Sequence, residues 1–485
     1  MLNLTAASRR EVAPSASTAC PGLFYGVSAQ DGMLARIRIP GGMVNYHQCY
    51  LLAEIADRYG QGWLQITNRG NVQIRGIRGE ISLDDLQRLQ LGGLGAELVE
   101  LDALRNIMAS PTAGIDPQAL MDTRTWVREI DHYLKSHREL DVLSPKFSIG
   151  LDGGEKVTIR DRHNDILLVA RQSLLDQSRY LQVYVNHQDT QLCITPHQVL
   201  PVIKACTQVY RQYCQENPPQ NQRPHRLRQV LADWGVDGYL QKVTAYLGFS
   251  LIAVDKLDLA PGEQDQHTNN YDHIGIHNQL QPEHVYIGLV LPLGKLTTKQ
   301  IRGVTAIARL YGDETLRFTP WQNLIIPHIM RSQISEVLAK LEKLELDWHL
   351  ENPWHSLIAC SGTQGCASSH IDTQTQAENI AQTLPKLNYP LKIHISGCEK
   401  GCASQGVSDI TLVGIAKDEY KIFIGKDSHQ GKFGQELYTN LNTTEITHLL
   451  TQIIQTYQTH HHDQESLQKF LSCYGIEELR QLIGR

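Results

Sequence analysis

The sequence predicts an α+β fold built from two related halves that face each other across a central cleft. Three observations predict it. One segment recurs without a gap, a second segment recurs behind each copy, and clustered cysteines occupy only the later copy of that second segment. Residues 35–77 align with residues 287–329 at a constant offset of 252. Pro40 meets Pro292, Gly42 meets Gly294, and Tyr59-Gly60 meets Tyr311-Gly312. Thr67, Asn71 and Ile77 meet Thr319, Asn323 and Ile329. A gapless match with shared glycine and proline punctuation marks an internal duplication.

Each copy reads alike. An apolar strand runs into Pro-x-Gly, and a helix of 3.6-residue periodicity follows, stopped by Tyr-Gly. Two short strands come next, then a helix near 83–90 in one copy and 332–343 in the other. That βαββα order places a helix layer on one face of a sheet. The second unit begins with residues 105–110, which parallel 356–361 at an offset of 251. Later, 145–149 resembles 391–395; each reads as a short strand entering a Gly-rich turn. The chain is therefore A–B–A′–B′. Boundaries fall at 1–19 for a flexible lead-in, 20–95 for A, 96–260 for B, 261–347 for A′, 348–426 for B′ and 427–485 for a helical tail. Within B, strands are expected at 167–170 and 181–185, and helices at 196–215 and 237–247. Exposed loops are expected at 216–226 and 260–273.

Composition excludes several function classes. The 485 residues carry 45 basic and 51 acidic side chains, a formal charge of −6, so no basic face marks a nucleic-acid partner. No run of roughly 18 apolar residues marks a membrane span. The first residues lack the apolar stretch of a secretory signal, which points to a cytoplasmic protein, read as a monomer. No G-x-G-x-x-G follows a strand, so a nicotinamide or flavin domain is not built in, and electrons come from an external donor.

Four of the ten cysteines fall between 360 and 402. Cys360 and Cys366 have five residues between them, Cys398 and Cys402 three, and each pair lies among glycines: Gly362, Gly365, Gly397 and Gly401. Four thiolates can hold a [4Fe–4S] cluster, and glycine lets backbone N–H groups approach its sulfides. A structural zinc site with four cysteines usually takes shorter spacings. Cys20 and Cys49 read as buried thiols, and His460-His461-His462 as an exposed helix end.

At these cysteines the chain resembles the sulfite/nitrite reductase superfamily of [4Fe–4S]/siroheme proteins, over about residues 20–426. The resemblance implies two ferredoxin-like half-domains and two cluster-type α/β domains around a tetrapyrrole cleft, with Cys402 as the thiolate beside the tetrapyrrole iron. Within the superfamily, SGCEKGC, LSPKFSIGLDGG, LRFTPWQ and HIGIHNQ look more like the precorrin-3B synthases of cobalamin biosynthesis. The reductases carry Pro-Asn where this chain has Glu399-Lys400, and sulfite reductases a second lysine where it has Ser148. That likeness implies an oxygen-dependent monooxygenase acting on precorrin-3A with dioxygen, hydroxylating C20 and closing a lactone, with a non-haem iron besides the cluster. The other reading is a siroheme-dependent ferredoxin sulfite or nitrite reductase; a scaffold that binds tetrapyrroles without turnover is a third. The donor is ferredoxin or an NAD(P)H-linked reductase. Either tetrapyrrole carries many carboxylates and needs fixed cations. By resemblance, Arg38, Arg69, Arg105 and Lys146 match basic positions near it. At the repeat position of Arg69 the second half has Trp321, so the halves differ chemically.

Overall fold

The computed structural model describes residues 21–219, 223–260, 271–385, 391–404, 408–425, 433–461, 465 and 467–484. Cys20 and His462 lie outside them. The architecture is the duplicated one: two five-stranded sheets from the A units, and a six-stranded and a five-stranded sheet from the B units.

The A sheets are not built each from its own copy. One runs Val27–Ala29, Gly32–Ile37, Val72–Ile77, Trp63–Ile66 and then Lys295–Thr297 from the second copy. The other runs Gly275–Asn278, His284–Leu289, Leu324–Met330, Thr315–Phe318 and then Met43–Asn45 from the first copy. The exchange is reciprocal, and its crossing is tight. Gly42 has φ +70° and its backbone presses on Phe318, where a Cβ would stand 2.1 Å from the carbonyl oxygen. Gly294, also at φ +70°, meets Ile66 in the same way at 2.7 Å. Positive φ and the absence of room both require glycine. The helices Tyr46–Tyr59 and Thr298–Tyr311 follow the exchanged strands, each opened by a capping box, Asn45 with Gln48 and Thr297 with Gln300. Their apolar faces merge with both sheets in one core that includes Leu52, Ile55, Ile301 and Val304.

Each B unit has a mixed sheet whose first three strands are parallel. In B they are Ile107–Ala109, Ile149–Asp152 and Ile166–Gln172, and in B′ Leu357–Ala359, Ile393–Ser396 and Ile410–Ala416. The expected strand at 145–149 starts later, because Phe147 closes a turn onto Ser144. The helix expected at 237–247 begins at Leu227 and bends at Gly235, φ +69°. The segment 427–485 is more than a helical tail. It adds strand Gln435–Leu441 to the B′ sheet, and helix Thr443–His460 packs into the same core. Among the described residues, no helix is long and apolar enough to cross a membrane.

Candidate functional site

Two parallel strands deliver the cysteines. Ala359 lies opposite Ile395, so Cys360 and Gly397-Cys398 leave the sheet together at its carboxyl edge. Cys360 N–H donates to Ile395 O at 3.2 Å, and Gly397 N–H points at Cys360 Sγ at 3.3 Å. The first loop doubles back onto helix Thr373–Thr383, which Asp372 caps by accepting from the N–H groups of Gln374 and Thr375. Thr373 Oγ1 and Gln374 Nε2 both donate to Cys360 O. Gly362, at φ +60°, comes so near Thr373 that a Cβ would stand 2.7 Å from its nitrogen. Lys400 Nζ reaches Ser368 Oγ at 2.9 Å and ties the two cysteine loops to each other.

The four clustered thiols differ from the buried ones, and Cys473, also exposed, lies apart from them in the C-terminal helices. Cys360, Cys366 and Cys398 are partly exposed and Cys402 is exposed. Cys49, Cys206 and Cys214 are buried, and burial pushes each thiol up to about 12. A thiol held protonated by desolvation neither ligates metal nor reacts. The loops also fit a cubane in their backbone. Side chains at Gly365 and Gly397 would meet Arg75 and Ser369, so both loops run as bare backbone. Among the described residues, no three His, Cys, Asp or Glu side chains converge on a single metal ion. A cubane asks for no such convergence, since each iron takes its own thiolate.

The first A unit covers these loops. Arg75, buried, makes a bidentate pair with Asp31 at 2.8 and 3.0 Å and donates to Gly365 O at 3.1 Å. Asn68 Nδ2 donates to Ala403 O at 3.0 Å. Of the two, sequence reading offered Arg75 as a pocket cation and did not single out Asn68. The signal available was their place beside Arg69 in TNRGNVQIRG, one of the two turns the repeat shares.

The four basic candidates separate. Arg69 is partly buried, its guanidinium donating to His163 O at 2.9 Å and Asn164 Oδ1 at 3.3 Å. Lys146 is exposed, with its backbone in the Ser144 turn. Arg105 is 2% exposed and pairs with Asp131 at 2.8 Å, with Asp102 at 3.8 Å and with Gly93 O at 3.0 Å. Arg38, equally buried, faces the same Asp102 and donates to Pro21 O at 3.2 Å. The guanidiniums of Arg38 and Arg105 belong to a buried ion network around Asp102, and Arg38 Nε and Arg105 Nη1 have no hydrogen-bond partner among the described residues. Burial raises the Asp102 carboxyl, and the two arginines oppose that shift. What links the site segments is a run of buried amides: Asn71 Nδ2 donates to Asn106 Oδ1, and Asn106 Nδ2 to Phe147 O. Ser148, beside it, bonds through Oγ to Asp165.

Comparison with known proteins now bears on this geometry. The nitrite/sulfite reductase ferredoxin-like half domain matches residues 27–88 and 277–344. The nitrite and sulphite reductase 4Fe-4S domain matches 100–251 and 353–485. The chain is 29% identical over 460 residues to a ferredoxin–nitrite reductase of Synechococcus elongatus, covering 89% of this chain and 88% of that one. It is 30% identical over 432 residues to the same enzyme of Leptolyngbya laminosa, covering 84% and 82%. The structure superposes on that of the Mycobacterium tuberculosis NirA protein with a TM-score of 0.79 at 21% identity, over 92% and 85% of the chains. These relatives overturn the precorrin-3B synthase assignment. Monooxygenase chemistry and the cobalamin pathway fall with it, and nothing in these relatives supports precorrin-3A, dioxygen or a non-haem iron. Of the residues that suggested it, Ser148 bonds Asp165, and Lys400 ties the cysteine loops.

Proposed function

Within the nitrite and sulfite reductase family, to which this chain belongs, we propose that it is a ferredoxin-dependent nitrite reductase with a [4Fe–4S] cluster and a siroheme. The observation that carries the reading is the set of four accessible thiols, paired at the carboxyl edge of two parallel strands and overlain by Arg75 and Asn68 of the first A unit. Cys360, Cys366, Cys398 and Cys402 would hold the cluster, with Cys402, the most exposed, on the siroheme side. When bound, the two groups supply one-electron transfer and an iron site for the anion. Of the four basic candidates, Arg69 and Lys146 lie outside the Asp102 network and would meet that anion and the siroheme carboxylates. Arg69 is held in place by His163 O and Asn164, so little ordering is needed when an anion arrives.

The number of cations favours nitrite over sulfite. Sulfite carries more negative charge than nitrite at neutral pH and calls for more fixed cations. The position where sulfite reductases place a second lysine is Ser148, buried and bonded to Asp165. Ferredoxin is the proposed donor, from the relatives' names. The reading divides the chain into ferredoxin-like units at 20–95 and 261–347 and reductase-like units at 96–260 and from 348 onward.

The test is a reduction assay with reduced ferredoxin on the holoprotein. Nitrite should disappear with stoichiometric ammonium, and sulfite should be reduced far more slowly. Faster sulfite turnover would exchange the substrate; no turnover of either would remove the reading. Cys398→Ser should lose the cluster, and full iron and sulfide content in that variant would refute the ligand set.

A further inference from the structure

The duplication leaves a second pocket, in A′ and B′, that the reductase reading does not use. It is small, with a cavity volume of about 20 Å³, and Tyr271, His273, Trp321, Trp354, His355 and Lys392 are on its walls. It sits on the turn that repeats the Arg69 turn. Thr67 and Thr319 each accept from two N–H groups of their turn, and each turn closes onto its asparagine at 2.8 and 2.9 Å. Asn71 Oδ1 accepts from Ile39 N at 2.8 Å, as Asn323 Oδ1 does from Leu291 N at 2.9 Å. The same scaffold presents a guanidinium in one half and an indole in the other.

Hydrogen bonding fixes what the pocket offers. Because Asn323 Oδ1 takes the Leu291 N–H, its Nδ2 is the atom facing His273 Nε2, at 3.3 Å. An amide nitrogen only donates, so Nε2 accepts and the ring proton sits on Nδ1. Burial, reinforced by the charges of Arg162, His355 and Lys392, holds His273 well below the usual imidazole range, so it is neutral. His273 is 1% exposed, and its Nδ1 has no partner among the described residues. The Nε1 of Trp321 is buried and has none either. The two rings stack with centroids 4.6 Å apart, and Arg162 lies 4.6 Å over the indole. The Asp409 carboxylate, which acts on Tyr271, has one oxygen taken by the Lys392 backbone N–H at 2.7 Å. Two buried donors without acceptors cost stability unless something accepts from them. Arg162, which also pairs with Asp161 at 3.3 Å, and Lys392 both act on His273, and their positive charge favours an anionic acceptor.

We infer that this pocket binds a small oxyanion through the Nδ1–H of His273 and the Nε1–H of Trp321, in the field of Arg162 and Lys392. The site is separate from the cysteine loops and stands whether or not the chain reduces nitrite. The probe is radiolabelled formate, measured by equilibrium dialysis against the full chain purified with its cofactors. One formate should bind per chain without moving the visible absorption bands of those cofactors. Trp321→Phe should weaken binding about tenfold, the loss of one hydrogen bond to a charged acceptor. If that variant fails to fold, Lys392→Met should show a similar loss. Four results would each overturn the inference: no bound formate, unchanged affinity in the folded variant, cofactor bands that shift with the same midpoint, or a formate-soaked crystal showing only water between the two donors.

Discussion

Asp85 is a 2% exposed carboxylate held by four side chains. Tyr59, Arg58, Ser82 and Arg88 all donate to it, at 2.6, 2.6, 3.1 and 2.8 Å. Burial alone would raise this carboxyl, but those donors win and hold it at about 2. An unfolded aspartate titrates near ~3.9, so the folded form binds its proton less readily. The stabilisation is therefore complete above that value and is lost as pH falls from about 4 towards 2. Asp85→Asn should melt at a lower temperature than the parent at pH 7, with the gap closing across that window; a gap independent of pH would contradict the assignment. At the cysteine loops, Arg75→Leu strands Asp31 and Gly365 O together. Breaking a partly buried pair of this kind costs about 1–3 kcal/mol, and the variant should release iron to a chelator faster than the parent. The partners of single residues were the least legible part of the sequence. Arg105 is spaced as a ligand cation would be, and nothing in its neighbourhood says that Asp131, a helix away, claims it. Ser148 read as a lost lysine, although its hydroxyl has a task of its own with Asp165.

Elements were more legible than residues, because periodicity and capping are local. The helices after the Pro-x-Gly turns are where 3.6-residue spacing and Gly stops put them. The cysteine loops could be placed because glycine and cysteine spacing is local too. The exchange of Met43–Asn45 and Lys295–Thr297 could not be read. The two copies have matching strands, and a repeat does not say which sheet each strand joins. Its energetic weak point is the crossing. Gly42→Ala must push against Phe318 O from a left-handed backbone, at a cost on the order of 2–3 kcal/mol. Denaturant titration should show a fall in midpoint of matching size, and Gly79→Ala, with open space around it at φ +92°, should fall by less.

At the scale of the whole molecule, the A units share one core across both halves. The halves should not exist apart. Residues 21–260 expressed alone should be insoluble or lack cooperative unfolding, whereas co-expression with 261–485 should restore a soluble complex. A stable, cooperatively folding first half would show that the exchanged strand is dispensable. The duplication was legible from sequence as two halves, but their interdependence was not, since it arises from pairing across more than two hundred residues.

That interdependence has a consequence during synthesis. When Trp63–Ile66 has left the ribosome, the strand that covers it, Lys295–Thr297, has not yet been made. At ~20 residues per second the wait is on the order of ten seconds. Throughout it, a nascent sheet shows an uncovered edge of the kind that captures other chains. Slowing translation between these two points should increase aggregation, and a chaperone that shields strand edges should relieve it.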